Sequence, residues 1–281
     1  MQGTVTDLSN LPPLRDSLAA HGLIANKGFG QHFLLDLNIT RKIAKLADLK
    51  PDLTVIEVGP GPGGLTRALL ETGARVVAVE KDVRFKPLLD DLVAASGGRL
   101  SVVFDDALKV DESRLLQDRP GAVVSNLPYN VGTALLIKWL TGPFRPDSLT
   151  LMFQREVADR ITAAVNDDAY GRLAVLAAAT VSARKVMDVP AQAFTPPPKV
   201  TSAVVRLIPT PSPLAPDLLE SLQKITAAAF GQRRKMLRSS LKTLGGEYLC
   251  QSAGLSADRR AETVDPSEFL RLAQALRSRT P

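Results

Sequence analysis

Five consecutive residues, Ser125-Asn126-Leu127-Pro128-Tyr129, put an amide, a proline-stiffened turn and an aromatic ring directly after an apolar run, Ala122-Val123-Val124. That run reads as a buried strand, and Thr133 to Trp139 beyond the turn reads as a helix. In an open α/β sheet the carboxyl ends of the strands are where ligands bind. The residue types suit a planar amino group such as a nucleobase carries: carbonyl oxygens accept its two N–H bonds, and a flat ring stacks on its face. The same residues also make a rigid strand-to-helix turn, since Asn-x-Pro is ordinary turn chemistry. Neighbouring motifs must decide between the two.

A second candidate lies upstream. Val55-Ile56-Glu57-Val58 reads as a strand running into Gly59-Pro60-Gly61-Pro62-Gly63-Gly64, and a helix opens over Leu65 to Leu70. Gly59, Gly61 and Gly64 satisfy the G-x-G-x-x-G spacing, and Glu80, about twenty residues on, stands where a ribose-binding acid belongs. That pattern alone fits a nicotinamide or flavin dinucleotide. Two details oppose it. Pro60 and Pro62 remove backbone N–H donors that a pyrophosphate requires. Glu57 and Asp106 add carboxylates, which favour a cationic ligand. S-adenosylmethionine, with a sulfonium, an ammonium and a ribose but no phosphate, meets both conditions. Asp105-Asp106 follow a third strand, Leu100 to Phe104, and that position favours one of them contacting the cofactor's adenine.

Ala193-Phe194-Thr195-Pro196-Pro197-Pro198-Lys199-Val200 mounts one aromatic on a stiff proline segment. Phe194 reads either as a core anchor for its hairpin or as the second face of a base sandwich with Tyr129, where stacking contributes about 1–3 kcal/mol per base. Arg234, Arg238 and Lys242 recur every four residues, so a helix over them carries one basic stripe flanked by Arg233 and Lys235. Such a stripe is either a solvated face or a set of phosphate contacts that position a structured RNA without reading it.

The elements that must hold these residues follow a βαβ rhythm. Strands are expected at Val55–Val58, Val76–Glu80, Leu100–Phe104, Val123–Val124 and Leu149–Phe153, alternating with helical stretches, which implies a mainly parallel, Rossmann-like α/β sheet. A helix over Leu173 to Val181 leads to two more strands, Lys185–Val189 and Val200–Leu207. Their connection is too short for a crossover helix, so they are expected as an antiparallel pair at the sheet edge. Residues 1–25 read as a loose arm with a short helix, and Pro51-Asp52 closes a helix carrying Ile39, Ile43, Leu46 and Ala47. Pro209, Pro211, Pro213 and Pro216 mark a linker. The expected division is therefore a sheet domain over 1–208, with an arm at 1–26, and a small all-helical domain over 209–281, where Asp217 caps the first helix.

Composition narrows the function class. The chain has 281 residues with 45% apolar, enough for a sizeable core. No apolar run spans a bilayer, and Met1 to Ala20 lacks a signal-peptide apolar block. A single cysteine, Cys250, excludes an intramolecular disulfide and a cysteine-built metal site, and His21 and His32 make no zinc cluster. A reducing, cytoplasmic setting without membrane or metal is expected. The net charge of +6 is uneven: residues 51–208 hold 18 basic and 18 acidic side chains, so the excess sits on the two flanks. Basic flanks around a neutral middle suit a polyanionic partner.

With these residues assembled, the chain resembles the bacterial rRNA adenine N6,N6-dimethyltransferases (the KsgA family) from about Lys27 to its C-terminal helix. The resemblance rests on Glu57-Val58-Gly59-Pro60-Gly61, Asn126-Leu127-Pro128-Tyr129-Asn130, Phe194 to Val200 and Phe230-Gly231-Gln232-Arg233-Arg234-Lys235. The last of these favours this family over its large-subunit, resistance-conferring relatives. The resemblance implies a class I methyltransferase fold and S-adenosylmethionine contacts from His32, Leu34, Gly59, Gly61, Glu80, Asp106 and Asn126, with Glu80 on the ribose and Asp106 on the adenine. It also implies catalytic roles for Asn126, Leu127, Tyr129 and Phe194, and RNA contacts from Arg233, Arg234, Lys235, Arg238 and Lys242. The implied substrate is two adjacent adenosines near the 3′ end of small-subunit rRNA, each methylated twice by a monomer, within a partly assembled 30S particle. His32 departs from the family's usual Asn, and Ser125 from a frequent glycine. Two other readings of the same residues are a DNA adenine N6-methyltransferase and a non-catalytic ribosome-assembly factor.

Overall fold

The computed structural model describes residues 8, 10–26, 28, 30–50, 53–117 and 119–278. Lys27, Phe29, the helix-closing Pro51-Asp52 and residues 1–7 and 9 of the arm lie outside the described residues. Nine strands are described: β1 (Phe33–Leu34), β2 (Thr54–Val58), β3 (Arg75–Glu80), β4 (Leu100–Phe104), β5 (Gly121–Asn126), β6 (Ser148–Gln154), β7 (Val181–Val189), β8 (Phe194–Thr195) and β9 (Ser202–Pro209). Seven of them form one sheet in the order β4-β3-β2-β5-β6-β9-β7. The pairs β4–β3, β3–β2, β2–β5 and β5–β6 are parallel. β5 and β6 are buried along nearly their whole length, as strands with helices on both faces must be.

The chain builds outward from β2 through β3 to β4, then crosses back to lay β5 and β6 on the other side. That reversal leaves the carboxyl ends of β2 and β5 side by side with their connections departing in opposite directions, which opens a crevice. β9 runs antiparallel to β6, with Leu149 opposite Leu207 and Gln154 opposite Ser202, and β7 is its outer neighbour. A separate two-residue antiparallel pairing sets Phe33 opposite Thr195 and Leu34 opposite Phe194. It carries the segment before β2 over to the proline-rich segment.

The described part of the arm is docked rather than loose. Its helix, Leu14–Ala20, buries Leu14, Ser17 and Leu18, and the Arg67 guanidinium donates to the Pro12 carbonyl at 2.8 Å.

Two compact units divide the chain, one taking residues within 1–139, 144–158 and 185–207 and the other those within 140–143, 159–184 and 208–281. The second unit is therefore larger than the stretch after residue 208. Helix Arg172–Thr180 contributes Ala174, Val175 and Leu176 to the same core as Leu222, Ile225, Phe269 and Leu272, and that shared burial draws it in. Within this unit Tyr170 donates its hydroxyl to the Val264 carbonyl at 2.8 Å. Helix Pro216–Gly231 starts with proline at its first turn and has Ala215 as N-cap, so Asp217 lies inside the helix rather than capping it. The expected basic helical stripe is also absent. Helix Pro216–Gly231 stops before Arg233, because Gln232 leaves helical geometry and Met236 bridges Arg260 in extended backbone. Arg238 then falls in a short helix, Leu237–Ser240, and Lys242 in a separate 3-10 turn, Lys242–Leu244.

The last helix, Pro266–Arg277, is fixed by a reciprocal cap. Asp265 accepts from the backbone of Ser267 and Glu268, and Glu268 reaches back to the Asp265 N–H at 2.9 Å. Asp265→Ala should lower stability by about 1 kcal/mol, seen as a lower midpoint in urea unfolding followed by circular dichroism. An unchanged midpoint would show the cap to be dispensable.

Candidate active site

A cavity of about 230 Å3 lies in the first unit at the carboxyl ends of β2 and β5. The glycine loop and the Asn126–Tyr129 turn both line it, so the two sequence candidates share one space. Two close contacts hold them together. The Ser125 hydroxyl donates to the Val58 carbonyl at 2.5 Å, tying the end of β5 to the end of β2. Gly59, at φ +70°, has no side chain where a Cβ would come within 3.3 Å of the Pro128 ring. Ser125 thus acts as a fastener between strands.

The glycine loop is shaped around an acid. Glu80, buried at the end of β3, accepts from Gly61 N–H at 3.0 Å with one oxygen and from Asp82 N–H at 2.8 Å with the other. Burial raises the pKa of its carboxyl, and those backbone bonds oppose the rise. Asp106 is held below the usual carboxylate range, first by Lys81 at 2.9 Å and then by the Leu108 N–H. The segment before β2 closes the other side. Gln31 donates to Asp82 at 3.0 Å, and His32 Nδ1 lies 2.8 Å from the Pro196 carbonyl.

His32, Leu34, Gly59, Gly61, Glu80, Asp106 and Asn126 all line the cavity, as do Leu127 and Tyr129. Phe194 does not. It is 3% exposed and packs in the core with Leu34, Val124, Met152 and Val204. β8 pairs with β1 there, and this burial supports the core-anchor reading of Phe194 over the stacking one. The aromatic neighbour of Tyr129 is His32 instead, with ring centroids 5.3 Å apart. Tyr129 is further oriented by its hydroxyl, 2.5 Å from the Ser202 hydroxyl on β9.

The lining is acidic, with Glu57, Glu80, Asp105 and Asp106 against Lys81. Glu57 is the most telling of these. It is 1% exposed, and its Oε2 has no hydrogen-bond partner. Burial pushes its carboxyl up to about 8, with Glu80 adding to the rise and the Thr66 hydroxyl, short of a full hydrogen bond, opposing it. An orphaned acid with further carboxylates around it fits a cationic ligand, and it fits a ribose-bearing sulfonium better than a pyrophosphate. Among the described residues no group of three or more His, Cys, Asp or Glu stands ready to hold a metal.

Gln31, Lys81 and Ser202 contribute without belonging to any motif read from the sequence. In the second unit, Arg233, Arg234, Lys235, Arg238 and Lys242 are all exposed. Arg233 donates to the Asp168 carbonyl at 2.9 Å, and Arg238 pairs with Asp258.

Comparison with known proteins bears on this arrangement. The family model described as Ribosomal RNA adenine dimethylase matches residues 22–278. A relative from Phenylobacterium zucineum, Ribosomal RNA small subunit methyltransferase A, is 69% identical over 268 residues, covering 95% of this chain and 94% of its own. The protein of the same description from Caulobacter vibrioides is 66% identical over 252 residues, covering 90% and 97%. Among solved structures, a dimethyladenosine transferase from Plasmodium falciparum superposes with a TM-score of 0.71 at 26% identity over 86% of this chain and 96% of that one. The 23S rRNA methyltransferase ErmE gives 0.66 at 30% identity over 87% and 99%.

Glu57 makes stability depend on pH in a defined direction. Its carboxyl holds a proton to about pH 8 when folded, whereas its ordinary value is 4.5. Between those values the folded state binds the extra proton, so this group's contribution to stability falls as pH rises through the window. Glu57→Gln should therefore gain stability relative to the unmodified protein as pH rises from about 5 to about 9, measured by thermal unfolding across that range. Parallel melting curves for the two proteins would contradict the assignment.

Proposed function

The chain belongs to the ribosomal RNA adenine dimethylase family, and we propose that the cavity between β2 and β5 is where it transfers methyl groups from S-adenosylmethionine to adenine N6. The enzyme is an rRNA adenine dimethyltransferase. The observation that carries the assignment of the site is the single cavity shared by an acid-lined glycine loop and an Asn-Leu-Pro-Tyr turn.

S-adenosylmethionine, when bound, supplies a methyl group activated by a sulfonium. His32, Leu34, Gly59, Gly61, Glu80, Asp106 and Asn126 would hold it, with Glu80 toward the ribose hydroxyls and Asp106 toward the adenine amino group. Asp106, held ionised beside Lys81, supplies negative potential that favours a cation over a phosphate. The glycine loop leaves room for close approach without presenting the N–H array that an anion needs, since Pro60 and Pro62 have none.

On the acceptor side, adenine N6 is a poor nucleophile because its lone pair is delocalised into the ring. The Asn126 side-chain oxygen and the Leu127 carbonyl accept its two N–H bonds, which favours a pyramidal nitrogen with its lone pair directed out of the ring plane. Tyr129, held by Ser202, gives the base a face to stack on once it has left its own stack. Catalysis is then positioning and electrostatics, and no strong general base is required. The proposed substrate is two adjacent adenosines near the 3′ end of small-subunit rRNA in a partly assembled 30S particle, acted on in the cytoplasm by a monomer. Among the described residues no helix is long and apolar enough to cross a membrane. Exposed Arg233, Arg234, Lys235, Arg238 and Lys242 supply phosphate contacts by charge alone.

Two measurements test this reading. Asn126→Ala should abolish dimethyladenosine formation, read by mass spectrometry of small-subunit rRNA, while RNA affinity stays within about threefold, because phosphate contacts dominate affinity. Near-normal methylation by that variant, or methylation of naked duplex DNA in preference to small-subunit particles, would refute it. Replacing Arg234 and Lys235 by alanine should flatten the log–log salt dependence of RNA binding by roughly 0.7–0.9 per lost phosphate contact. An unchanged slope would place the RNA on another surface.

A further inference from the structure

The wall of the cavity that takes the cofactor's adenine in the reading above is a loop, residues 105–110, running from the end of β4 to the short helix Glu112–Leu115. Asp105, Asp106, Ala107 and Leu108 line the cavity. The loop has three local bonds of its own: Asp105 to Asp106 N–H at 2.6 Å, Asp106 Oδ1 to Leu108 N–H at 3.0 Å and the Asp106 carbonyl to Lys109 N–H at 2.8 Å. Its front is tied to β3 and the residue after it, by Asp105 N–H donating to the Glu80 carbonyl at 3.0 Å and by Lys81 donating to Asp106 at 2.9 Å.

The far end of the loop is anchored by helix Gly132–Thr141. Lys138 Nζ lies 3.0 Å from the Ala107 carbonyl, 2.5 Å from the Val110 carbonyl and 2.8 Å from Glu112 Oε1. An ammonium has three N–H donors, so every one is directed at the loop or its exit. Glu112 is 4% exposed and also accepts from Trp139 Nε1 at 2.7 Å, so adjacent residues of one helix grip the loop's far end. With its Ala107 and Val110 carbonyls drawn backward, the loop keeps Asp106 and Leu108 on the cavity side.

The gripping helix follows directly on the Asn126–Tyr129 turn. A Cβ at its first residue, Gly132, would stand 3.5 Å from Leu127 Cβ, so the helix start is seated on the acceptor turn. We infer that Lys138 is a positioning residue that fixes the far end of the adenine-side loop relative to the acceptor turn, through a helix that touches both. This rests on the assignment of the cavity to S-adenosylmethionine. Lys138 touches neither cofactor nor base in this scheme, and it acts through the loop backbone.

The test compares Lys138→Met, Lys138→Arg and Glu112→Gln with the unmodified enzyme. In the cofactor-free protein, Lys138→Met should speed hydrogen exchange at the amides of residues 107–110 while those of β2 and β5 keep their protection. Calorimetry should show S-adenosylhomocysteine and 5′-methylthioadenosine both weakened about tenfold, the scale of one lost charge-assisted hydrogen bond. KM for S-adenosylmethionine should rise in step, with kcat at saturation within about twofold, because the interaction is made equally in ground and transition states. Lys138→Arg should recover part of the affinity. Unchanged affinity in Lys138→Met would overturn the inference, and so would a uniform loss of protection across the whole sheet, which marks a merely structural lysine. Should Lys138→Met fail to fold, Glu112→Gln carries the test: a smaller loss of affinity in the same direction supports the role and none overturns it. Failure of the unmodified enzyme to bind S-adenosylhomocysteine would instead strike at the cofactor assignment itself.

Discussion

Two parallel neighbouring strands whose connections leave in opposite directions cannot both cover the space between their carboxyl ends. β2 and β5 are that pair, and everything chemical in the first unit is arranged around the gap they leave. The gap would be of little use if the two ends drifted. The Ser125–Val58 hydrogen bond and the packing of Gly59 against Pro128 lock the glycine loop to the acceptor turn, so a donor held by one and a base held by the other meet at a fixed separation. Substitution of any side chain at Gly59 works against this twice, through φ +70° and through crowding of the proline ring.

Charge then selects the occupant. A pocket with Glu80 taken up by the Gly61 and Asp82 N–H groups and Asp106 beside Lys81 is poorly suited to a dinucleotide, whose pyrophosphate would face carboxylates and two prolines. It is well suited to a sulfonium with a ribose. The same acidity keeps the polyanionic substrate's phosphates out of the cavity, so contacts to the RNA backbone must come from elsewhere, as the basic flanks of the chain allow. Separation of a neutral-to-acidic reaction chamber from basic surface segments is thus a requirement of bringing a cationic donor and an anionic acceptor to one protein.

Much of this was legible in the sequence, and the failures have physical causes. β2 to β6 could be read because each is an apolar run cut off by glycine, an acid or a side-chain amide, and the placing of β9 and β7 together at one end of the sheet followed from a connection too short for a helix. The β1–β8 pairing was invisible, since two residues have no period, and that pairing is what sends Phe194 into the core. Helix Arg172–Thr180 gave no sign of which core it joins, because an apolar stripe looks the same against either. The four-residue spacing of Arg234, Arg238 and Lys242 misled because the Met236–Arg260 bridge, a contact between distant segments, overrides local helix periodicity. Lys138 had a signal that is plain only afterwards: a lone cation within the apolar helix sequence Leu135-Leu136-Ile137-Lys138-Trp139-Leu140.

The central claim is that the amine of the acceptor base is gripped at the end of β5, facing the glycine loop across one cavity. A crystal structure of the enzyme with S-adenosylhomocysteine and an RNA fragment carrying the two adenosines tests this most directly. The account predicts adenine N6 within about 3 Å of both Asn126 Oδ1 and the Leu127 carbonyl oxygen, with the sulfur of the homocysteine out of the base plane, on the side to which the N6 lone pair points, and inside the same cavity. An acceptor base bound away from the Asn126–Tyr129 turn, or a cofactor product seated outside the glycine loop, would contradict it.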